Sequence, residues 1–153
     1  MIRITKLTDY GIVLMSHLAT APERSFNAPE LAAETKLPQP MVSKILKRLT
    51  KAGLLVSQRG VHGGYGLARA AEAISVTEII TALEGPIAVT ECSDTAAGIC
   101  SSEPFCPVSR NWRRINRAIS EALSGITLAE MRHPQAGQGT LVALGSRHAA
   151  SAH

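Results

Sequence analysis

Apolar residues recur every three or four positions in the first half of the chain, which is the spacing of amphipathic helices. This pattern predicts three helices, which begin at Thr8, at Asn27 and at about Gln39. Thr8 is the expected N-cap of the first helix, N-A-P-E opens the second as a capping box, and Gly53 ends the third. A tight turn joins the second and third helices, which is the helix-turn-helix pattern.

Two short segments after the third helix are predicted to be strands, Leu54–Ser57 and Tyr65–Ala68. The connecting segment QRGVHGG would make them a hairpin directly after the recognition helix, which is the wing of a winged helix. We expect Gly60, Gly63 and Gly64 to permit the positive φ angles of a tight turn and a close approach of the backbone to a phosphate or a narrow groove.

Two further helices are predicted in the second half of the chain. The S-V-T-E capping box begins the first, over residues 75–84, and Gly85 ends it. The second runs from Pro107 to about Ser124 and carries an apolar stripe that needs a partner. That stripe consists of Val108, Trp112, Ile115, Ile119, Leu123 and Ile126. Packing on its own domain would cover it, but we expect a two-fold homodimer, because winged-helix regulators usually bind two half-sites.

The predicted fold is mainly α with a small β-hairpin. A winged-helix DNA-binding domain over residues 1–85 is followed by a cysteine-containing loop over 86–107 and a dimerisation helix over 108–132. Residues 133–153 are rich in Gly, Ala, Ser, Gln and His without any period, and we expect a disordered tail.

The composition is typical of a soluble globular protein. Of the 153 residues, 45% are hydrophobic and 18% are charged, and the apolar runs are much shorter than a membrane span. The N-terminus, MIRITKLTDYG, lacks the apolar core of a signal peptide. We therefore expect a cytoplasmic protein with no membrane partner, in which cysteine thiols stay reduced.

The charge is distributed unevenly along the chain. Residues 1–69 carry ten Lys and Arg against four Asp and Glu, whereas residues 70–153 carry six against eight. A basic first half favours a polyanionic partner, because neutralising phosphates releases condensed counterions. Together with the predicted helix-turn-helix, this asymmetry indicates double-stranded DNA.

The outer face of the third helix and the tip of the wing supply the candidate DNA contacts. Side chains at the start of the helix would reach base edges, and later ones, with Arg48 among them, would meet phosphates. The candidates are Gln39, Met41, Ser43, Lys44, Lys47, Lys51, Arg59, His62, Gly63 and Gly64. An ordinary solvated helix face is the alternative interpretation of the helix taken alone.

All three cysteines, Cys92, Cys100 and Cys106, lie in the polar segment ECSDTAAGICSSEPFCP, residues 91–107. Grouped thiols on a loop favour a soft metal centre, such as an iron-sulfur cluster, zinc or copper(I). Ordinary free thiols and a disulfide are the alternatives. We find no cysteine-histidine-acid constellation and no cofactor fingerprint, so we do not expect an enzyme.

The combination of these features resembles a known family. The chain resembles the Rrf-type iron-sulfur winged-helix transcriptional regulators (IscR, NsrR and RirA), and most of all the regulators of the SUF cluster-assembly operon. The resemblance lies in a start reading MIRITKLTDYG, a wing reading RGVHGGYGLAR, a helix reading SVTEIITALEG and three cysteines before a long helix. The resemblance covers about residues 1–131. It implies a homodimeric repressor that binds operator DNA and ligates a 2Fe-2S or 4Fe-4S cluster through the three loop cysteines.

The fourth ligand is not fixed by this resemblance. IscR-type members carry a histidine three residues after the last cysteine, where this chain has Ser109. NsrR-type members use an aspartate at the start of the first helix of the other subunit, and Asp9 stands at the matching place. Asp9 is equally explained as an acid at a helix N-terminus, so both interpretations stay open. A zinc site or a thiol-redox site on the same regulator is the alternative to a cluster.

Overall fold

A computed structural model of the chain describes residues 3–90, 93, 101 and 105–132. These residues form a mainly helical protein with one two-stranded antiparallel hairpin, as predicted. The helices are α1 (Lys6–Leu18), α2 (Ala28–Thr35), α3 (Gln39–Lys51), α4 (Val76–Glu84), α5 (Ser109–Ser124) and α6 (Leu128–Arg132). The strands are β1 (Leu55–Gln58) and β2 (Gly64–Leu67), and a 3₁₀ turn spans Ala71–Ala73. The expected tail over 133–153 lies outside the described residues.

Helix α1 begins earlier than predicted. Its N-cap is Thr5, whose hydroxyl accepts a hydrogen bond from the Thr8 amide at 3.4 Å, so the prediction of Thr8 as the cap is wrong. Thr8 is buried in the first turn instead, and its hydroxyl donates to the carboxylate of Glu84. The two threonines are three residues apart and both hydrogen-bond to Glu84, but only Thr5 has the extended backbone and the side-chain acceptor of an N-cap.

The predicted ends of α2 and α3 are confirmed. The Asn27 carboxamide accepts from the Glu30 amide at 2.9 Å, and the Glu30 carboxylate accepts from the Asn27 amide at 3.3 Å, which completes the capping box. Helix α3 begins at Gln39. Gly53 follows it with a φ of 77°, a left-handed conformation that glycine adopts without a steric penalty.

The hairpin pairs Leu55 with Leu67 at one end and Gln58 with Gly64 at the other, one residue from the predicted bounds of each strand. Strand β2 is also joined to the loop before α2. The Phe26 amide donates to the Tyr65 carbonyl at 3.0 Å, and the Tyr65 amide donates back at 2.7 Å. The wing is therefore held against the helix-turn-helix by backbone hydrogen bonds.

Helix α1 lies in the centre of the core and packs on α3, α4 and α6. The approach of α1 to α4 is close because Gly11 faces Leu83, where a Cβ would stand 2.2 Å from Leu83 Cδ1. The fully buried side chains of this core include Leu14, Leu18, Phe26, Leu31, Ile45, Leu46, Leu49, Ile79, Leu83 and Leu128. This core fixes the exposed face of α3 relative to the wing.

The S-V-T-E capping box of α4 is confirmed through Ser75 and Glu78. Helix α5 begins at Ser109, two residues after its predicted start, and ends at Ser124 as expected. Its last turn leads into a chain segment bonded to the start of α4, where the Val76 amide donates to the Ile126 carbonyl at 2.9 Å. The C-terminal end of α5 is therefore joined to the winged-helix part of the molecule.

Candidate nucleic-acid interface and cysteine loop

The basic face of α3 is the part of the helix surface that does not pack against the core. The buried stripe of α3 consists of Val42, Ile45, Leu46 and Leu49. Three lysines, Lys44, Lys47 and Lys51, are exposed on the remaining surface, as is Gln39 at the helix start. Within the part of the chain that the structure describes, no carboxylate forms an ion pair with these lysines. Their charge is therefore available to a polyanion.

Two candidates on α3 are less accessible than the lysines. Met41 is half-buried and packs against the core, and Ser43 is half-buried as well. Met41 is four residues before Ile45, so it lies at the edge of the buried stripe. The candidate base contacts near the helix start therefore rest on Gln39 and Lys44, with Ser43 beside them.

Arg48 has a different contact from the one expected of it. Its Nη1 donates to the Leu83 carbonyl at 2.5 Å, at the C-terminal end of α4. An arginine in this position satisfies a carbonyl that the helix leaves unpaired and complements the negative end of the helix dipole. Arg48 thus links α3 to α4.

The wing projects Arg59 and His62 into solvent, as predicted. Between them stands Val61, which is 98% exposed. The side chain of Val61 therefore stands in solvent at the tip of the wing, between the two basic candidates. Sequence reasoning overlooked Val61, although an isolated valine between Gly and His in a turn is an available signal.

The glycines of the wing serve two different purposes. Gly60 has a φ of 118°, which confirms the expected positive φ at that position. Gly63 and Gly64 do not have positive φ angles. A Cβ on Gly63 would stand 2.3 Å from the Gln58 carbonyl oxygen, and one on Gly64 would stand 2.7 Å from that of Phe26. These two positions need glycine because the backbone passes too close for a side chain.

The cysteine loop is described only in part. Cys92 and Cys100 lie outside the described residues, whereas Cys106 is a half-buried free thiol. Among the residues described, no three His, Cys, Asp or Glu side chains are grouped as a metal site. The donor chemistry of three thiols fits an iron-sulfur cluster or zinc.

Ser109 and Asp9, the two positions considered for a fourth ligand, differ in their surroundings. Ser109 is buried, and both its amide (3.4 Å) and its hydroxyl (3.1 Å) donate to the Cys106 carbonyl. Ser109 is the first residue of α5. Asp9 is exposed in the first turn of α1, and its amide donates to the Thr5 carbonyl at 3.0 Å.

Glu84 joins the beginning of α1 to the end of α4. Its Oε1 accepts from the Thr5 hydroxyl at 2.6 Å, from the Thr5 amide at 3.3 Å and from the Thr8 hydroxyl. These hydrogen bonds, those from Thr5 first and from Thr8 next, lower the pKa of Glu84 below its ordinary value. The contact holds the turn that bears Asp9 beside the segment that leads into the cysteine loop.

No helix in the described part of the chain is both long enough and apolar enough to cross a membrane. Residues 4–134 match the family described as Rrf2, iron-dependent transcriptional regulator. The HTH-type transcriptional regulator IscR of Erwinia tasmaniensis is 31% identical over 134 residues, which are 87% of this chain and 80% of that protein.

Two solved structures of regulators share the fold. CymR, the global cysteine regulator of B. subtilis, is 29% identical with a TM-score of 0.66 and covers 86% of this chain and 97% of its own. IscR of T. potens is 30% identical with a TM-score of 0.62 and covers 85% of each chain. The family resemblance and the winged-helix fold predicted from the sequence are both confirmed. The chain belongs to the Rrf2 family of transcriptional regulators.

Proposed function

We propose that the chain is a cytoplasmic, DNA-binding repressor that holds an iron-sulfur cluster through its three loop cysteines and controls iron-sulfur cluster-assembly (SUF) genes. The observation that carries the proposal is the row of exposed lysines on α3, free of ion pairs within the described residues, in a chain of the Rrf2 family. The relatives are named as transcriptional regulators, and the proposal assigns no enzymatic activity to the chain.

DNA recognition in this proposal divides between base edges and phosphates. Gln39, Ser43 and Lys44 would enter the major groove, while Lys47 and Lys51 would meet phosphates farther along α3. The wing tip would lie over the adjacent minor groove, with Arg59, His62 and the exposed Val61 as its contacts. Gly63 and Gly64 keep the wing narrow enough for this approach.

The proposal includes a homodimer formed through α5. Two residues of its apolar stripe, Trp112 and Ile115, are exposed in the single chain, as are Val108 just before the helix and Ile126 just after it. Apolar side chains in a row on one helix face are stabilised by burial against another copy of the same face in a two-fold dimer. The two α3 helices would then bind half-sites about one turn of DNA apart, which predicts a palindromic operator.

Cys92, Cys100 and Cys106 would hold the cluster, and Asp9 of the partner subunit is the candidate for the remaining position. An iron-sulfur cluster at this loop would make the occupancy of the site sensitive to iron supply, oxidants and nitric oxide. The thiols supply the ligands, and the loop ends are held by α5 through contacts of Ser109 and Asn116. The iron and sulfide content of the loaded protein distinguishes a 2Fe-2S from a 4Fe-4S cluster.

DNA selection with the anaerobically prepared protein tests the first half of the proposal. Genomic fragments retained by the protein should share a palindromic site near SUF genes. Lys44→Ala and Arg59→Ala should weaken binding to that site by roughly tenfold and, where the contact is to phosphate, reduce the salt slope by about one. Arg117→Ala, an exposed charge on α5, is the matched control and should change neither. Retention of random fragments by all four proteins would overturn the assignment.

Cysteine and aspartate variants test the ligand set. Replacement of Cys92, Cys100 or Cys106 by Ser should remove the visible absorption of the reconstituted protein while far-UV circular dichroism stays unchanged. Asp9→Ala should shift the absorption spectrum only if Asp9 is a ligand. Asp9→Asn removes the carboxylate charge but keeps a polar side chain of the same size at the start of α1, so it tests whether the carboxylate itself is needed. An unchanged spectrum in both aspartate variants excludes Asp9.

A second candidate is a regulator in which the same thiols act without a cluster. The similarity to CymR, a global cysteine regulator, favours it, since that protein shares the fold over 86% of this chain. Three cysteines with one oxygen or nitrogen ligand also satisfy tetrahedral zinc. Metal analysis of anaerobic protein separates the candidates: iron with sulfide supports the cluster, zinc supports the metal alternative, and neither supports a thiol sensor.

A further inference from the structure

The chain segment that enters the cysteine loop is bonded to α5 through one side chain, Asn116. The Nδ2 of Asn116 donates to the Ile87 carbonyl at 2.9 Å, and the Val89 amide donates to its Oδ1 at 3.0 Å. Both the oxygen and the nitrogen of the carboxamide are thus hydrogen-bonded, to backbone groups of residues two positions apart. Asn116 is half-buried, so these hydrogen bonds are only partly exposed to competition from water.

The other end of the loop is attached to the same helix. The Cys106 carbonyl accepts from both the amide and the hydroxyl of Ser109, the first residue of α5. Ser109 and Asn116 are seven residues apart on α5, which corresponds to roughly 10 Å along the axis. Both described ends of the cysteine loop are therefore held on α5, about two turns apart.

The second half of α5 is held by a different part of the molecule. Thr77 in α4 donates to the Ser120 carbonyl at 3.4 Å and accepts from the Ser124 hydroxyl at 3.0 Å. Asn116, Ser120 and Ser124 follow one another at intervals of four, so they share one helix face. Along this face, α5 is bonded first to the loop and then to the winged-helix part.

We propose that Asn116 is a positioning residue that transmits the state of the cysteine loop to α5, and through α5 to the winged-helix part of each subunit. This inference rests on the proposed function, since it requires that the loop has two states that affect DNA binding. A change in the span between residues 89 and 106 pulls on Asn116 at one point of α5 and on Ser109 at another. Because Ser120 and Ser124 of α5 are bonded to α4, and α4 packs on α3, a displacement of α5 is passed through α4 to α3.

The test compares operator affinities of the loaded and the cluster-free protein for each variant. Asn116→Asp keeps the size and the acceptor for Val89 but replaces the donor to Ile87 by a carboxylate oxygen. Asn116→Ala removes both hydrogen bonds without adding charge. The wild-type ratio of the two affinities should be roughly tenfold or more, and both variants should reduce it to within about twofold. Asn116→Gln, which keeps donor and acceptor, should recover part of the ratio.

Asn111→Asp and Asn111→Ala are the matched controls, because Asn111 is an exposed asparagine on the same helix. They should retain the wild-type ratio. Hydrogen exchange of the Val89 amide in the metal-free protein gives a second readout, and it should be faster in Asn116→Ala than in Asn111→Ala. A full wild-type ratio in Asn116→Asp and in Asn116→Ala would overturn the role of Asn116.

Failure of the proposed function is distinguishable from failure of this inference. A wild-type protein that cannot be reconstituted with a cluster overturns the former. The ratio is then measured between protein with free thiols and protein alkylated by N-ethylmaleimide, and Asn116 must control that ratio in the same way. If the wild type shows no difference between either pair of states, the inference is overturned together with the sensing role.

Discussion

Gly64 is the residue at which a single added carbon would disturb the contact between the wing and the helix-turn-helix. A Cβ there would stand 2.7 Å from the Phe26 carbonyl oxygen, whereas one on Gly66 in the same strand meets nothing within 4 Å. We predict that Gly64→Ala lowers the free energy of unfolding by about 1–3 kcal/mol, because strand β2 must move away from Phe26. Equilibrium urea denaturation measures this difference.

Gly66→Ala is the matched control, and its effect should stay within about 0.5 kcal/mol. Equal losses in the two variants would show that the cost arises from strand propensity and not from the contact with Phe26. Operator affinity should fall more in Gly64→Ala than in Gly66→Ala, because Gly64 positions the wing.

Sequence reasoning at the residue scale succeeded where local chemistry decides. The capping residues Asn27 and Ser75 and the helix-ending Gly53 were all predicted, because each acts on residues a few positions away. It gave no sign of the bonds from Thr8 to Glu84 and from Arg48 to Leu83, because these partners are distant in the sequence. Such contacts carry no local signal.

At the scale of elements, the contact of Glu84 with Thr5 and Thr8 joins α1 to α4 in a pH-dependent manner. The pKa of Glu84 lies below the ordinary value of 4.5, so the ionised form is favoured by folding. Its contribution to stability is therefore complete above pH 4.5 and is lost as the pH falls through the lowered pKa. We predict that wild type is more stable than Glu84→Gln at pH 7 and that the difference shrinks below pH 4.5.

Thermal unfolding of wild type and Glu84→Gln over pH 3 to 7 measures this difference. Glu72→Gln is the control, because Glu72 is exposed and makes no hydrogen bond with its side chain in the described part of the chain. If the difference in Tm between wild type and Glu84→Gln stays constant from pH 3 to 7, the ionised carboxylate of Glu84 does not stabilise the fold through these hydrogen bonds.

The elements themselves were predicted well because their apolar spacing is clear. Helices α2, α3 and α4 and both strands of the wing match within one or two residues. Helix α5 begins at Ser109 and not at Pro107, because Pro107 and Val108 still form a turn. The Asn116 contact was not predicted, since an asparagine on a helix among arginines gives no sign of a partner 27 and 29 residues earlier.

At the scale of the whole molecule, the apolar face of α5 determines the proposed assembly. Ile115 is 43% exposed in the single chain although it is large and apolar. We predict that Ile115→Asp converts the dimer into a monomer, because a carboxylate buried in an apolar interface without a partner is strongly unfavourable. Light scattering coupled to gel filtration measures the mass.

Val56→Asp is the control for this substitution. Val56 is exposed to a similar extent, 46%, but lies on strand β1 of the wing and not on α5. It should leave the mass unchanged. A monomeric wild type, or a dimeric Ile115→Asp variant, would contradict dimerisation through this face.

The family and the fold of the described residues were predictable because the winged helix and the long amphipathic helix after it each have a clear sequence pattern. The ligand set was not, since a polar loop has no apolar period from which its path follows. The sequence places three thiols within 15 residues, but only their joint position around an ion decides the chemistry.

The visible absorption spectrum of the anaerobically purified protein, with its iron and sulfide content, tests the central claim most directly. The account predicts a coloured protein with iron and sulfide in equal and stoichiometric amounts, and loss of both in a Cys106→Ser variant. A colourless protein that contains neither and cannot be reconstituted would contradict it.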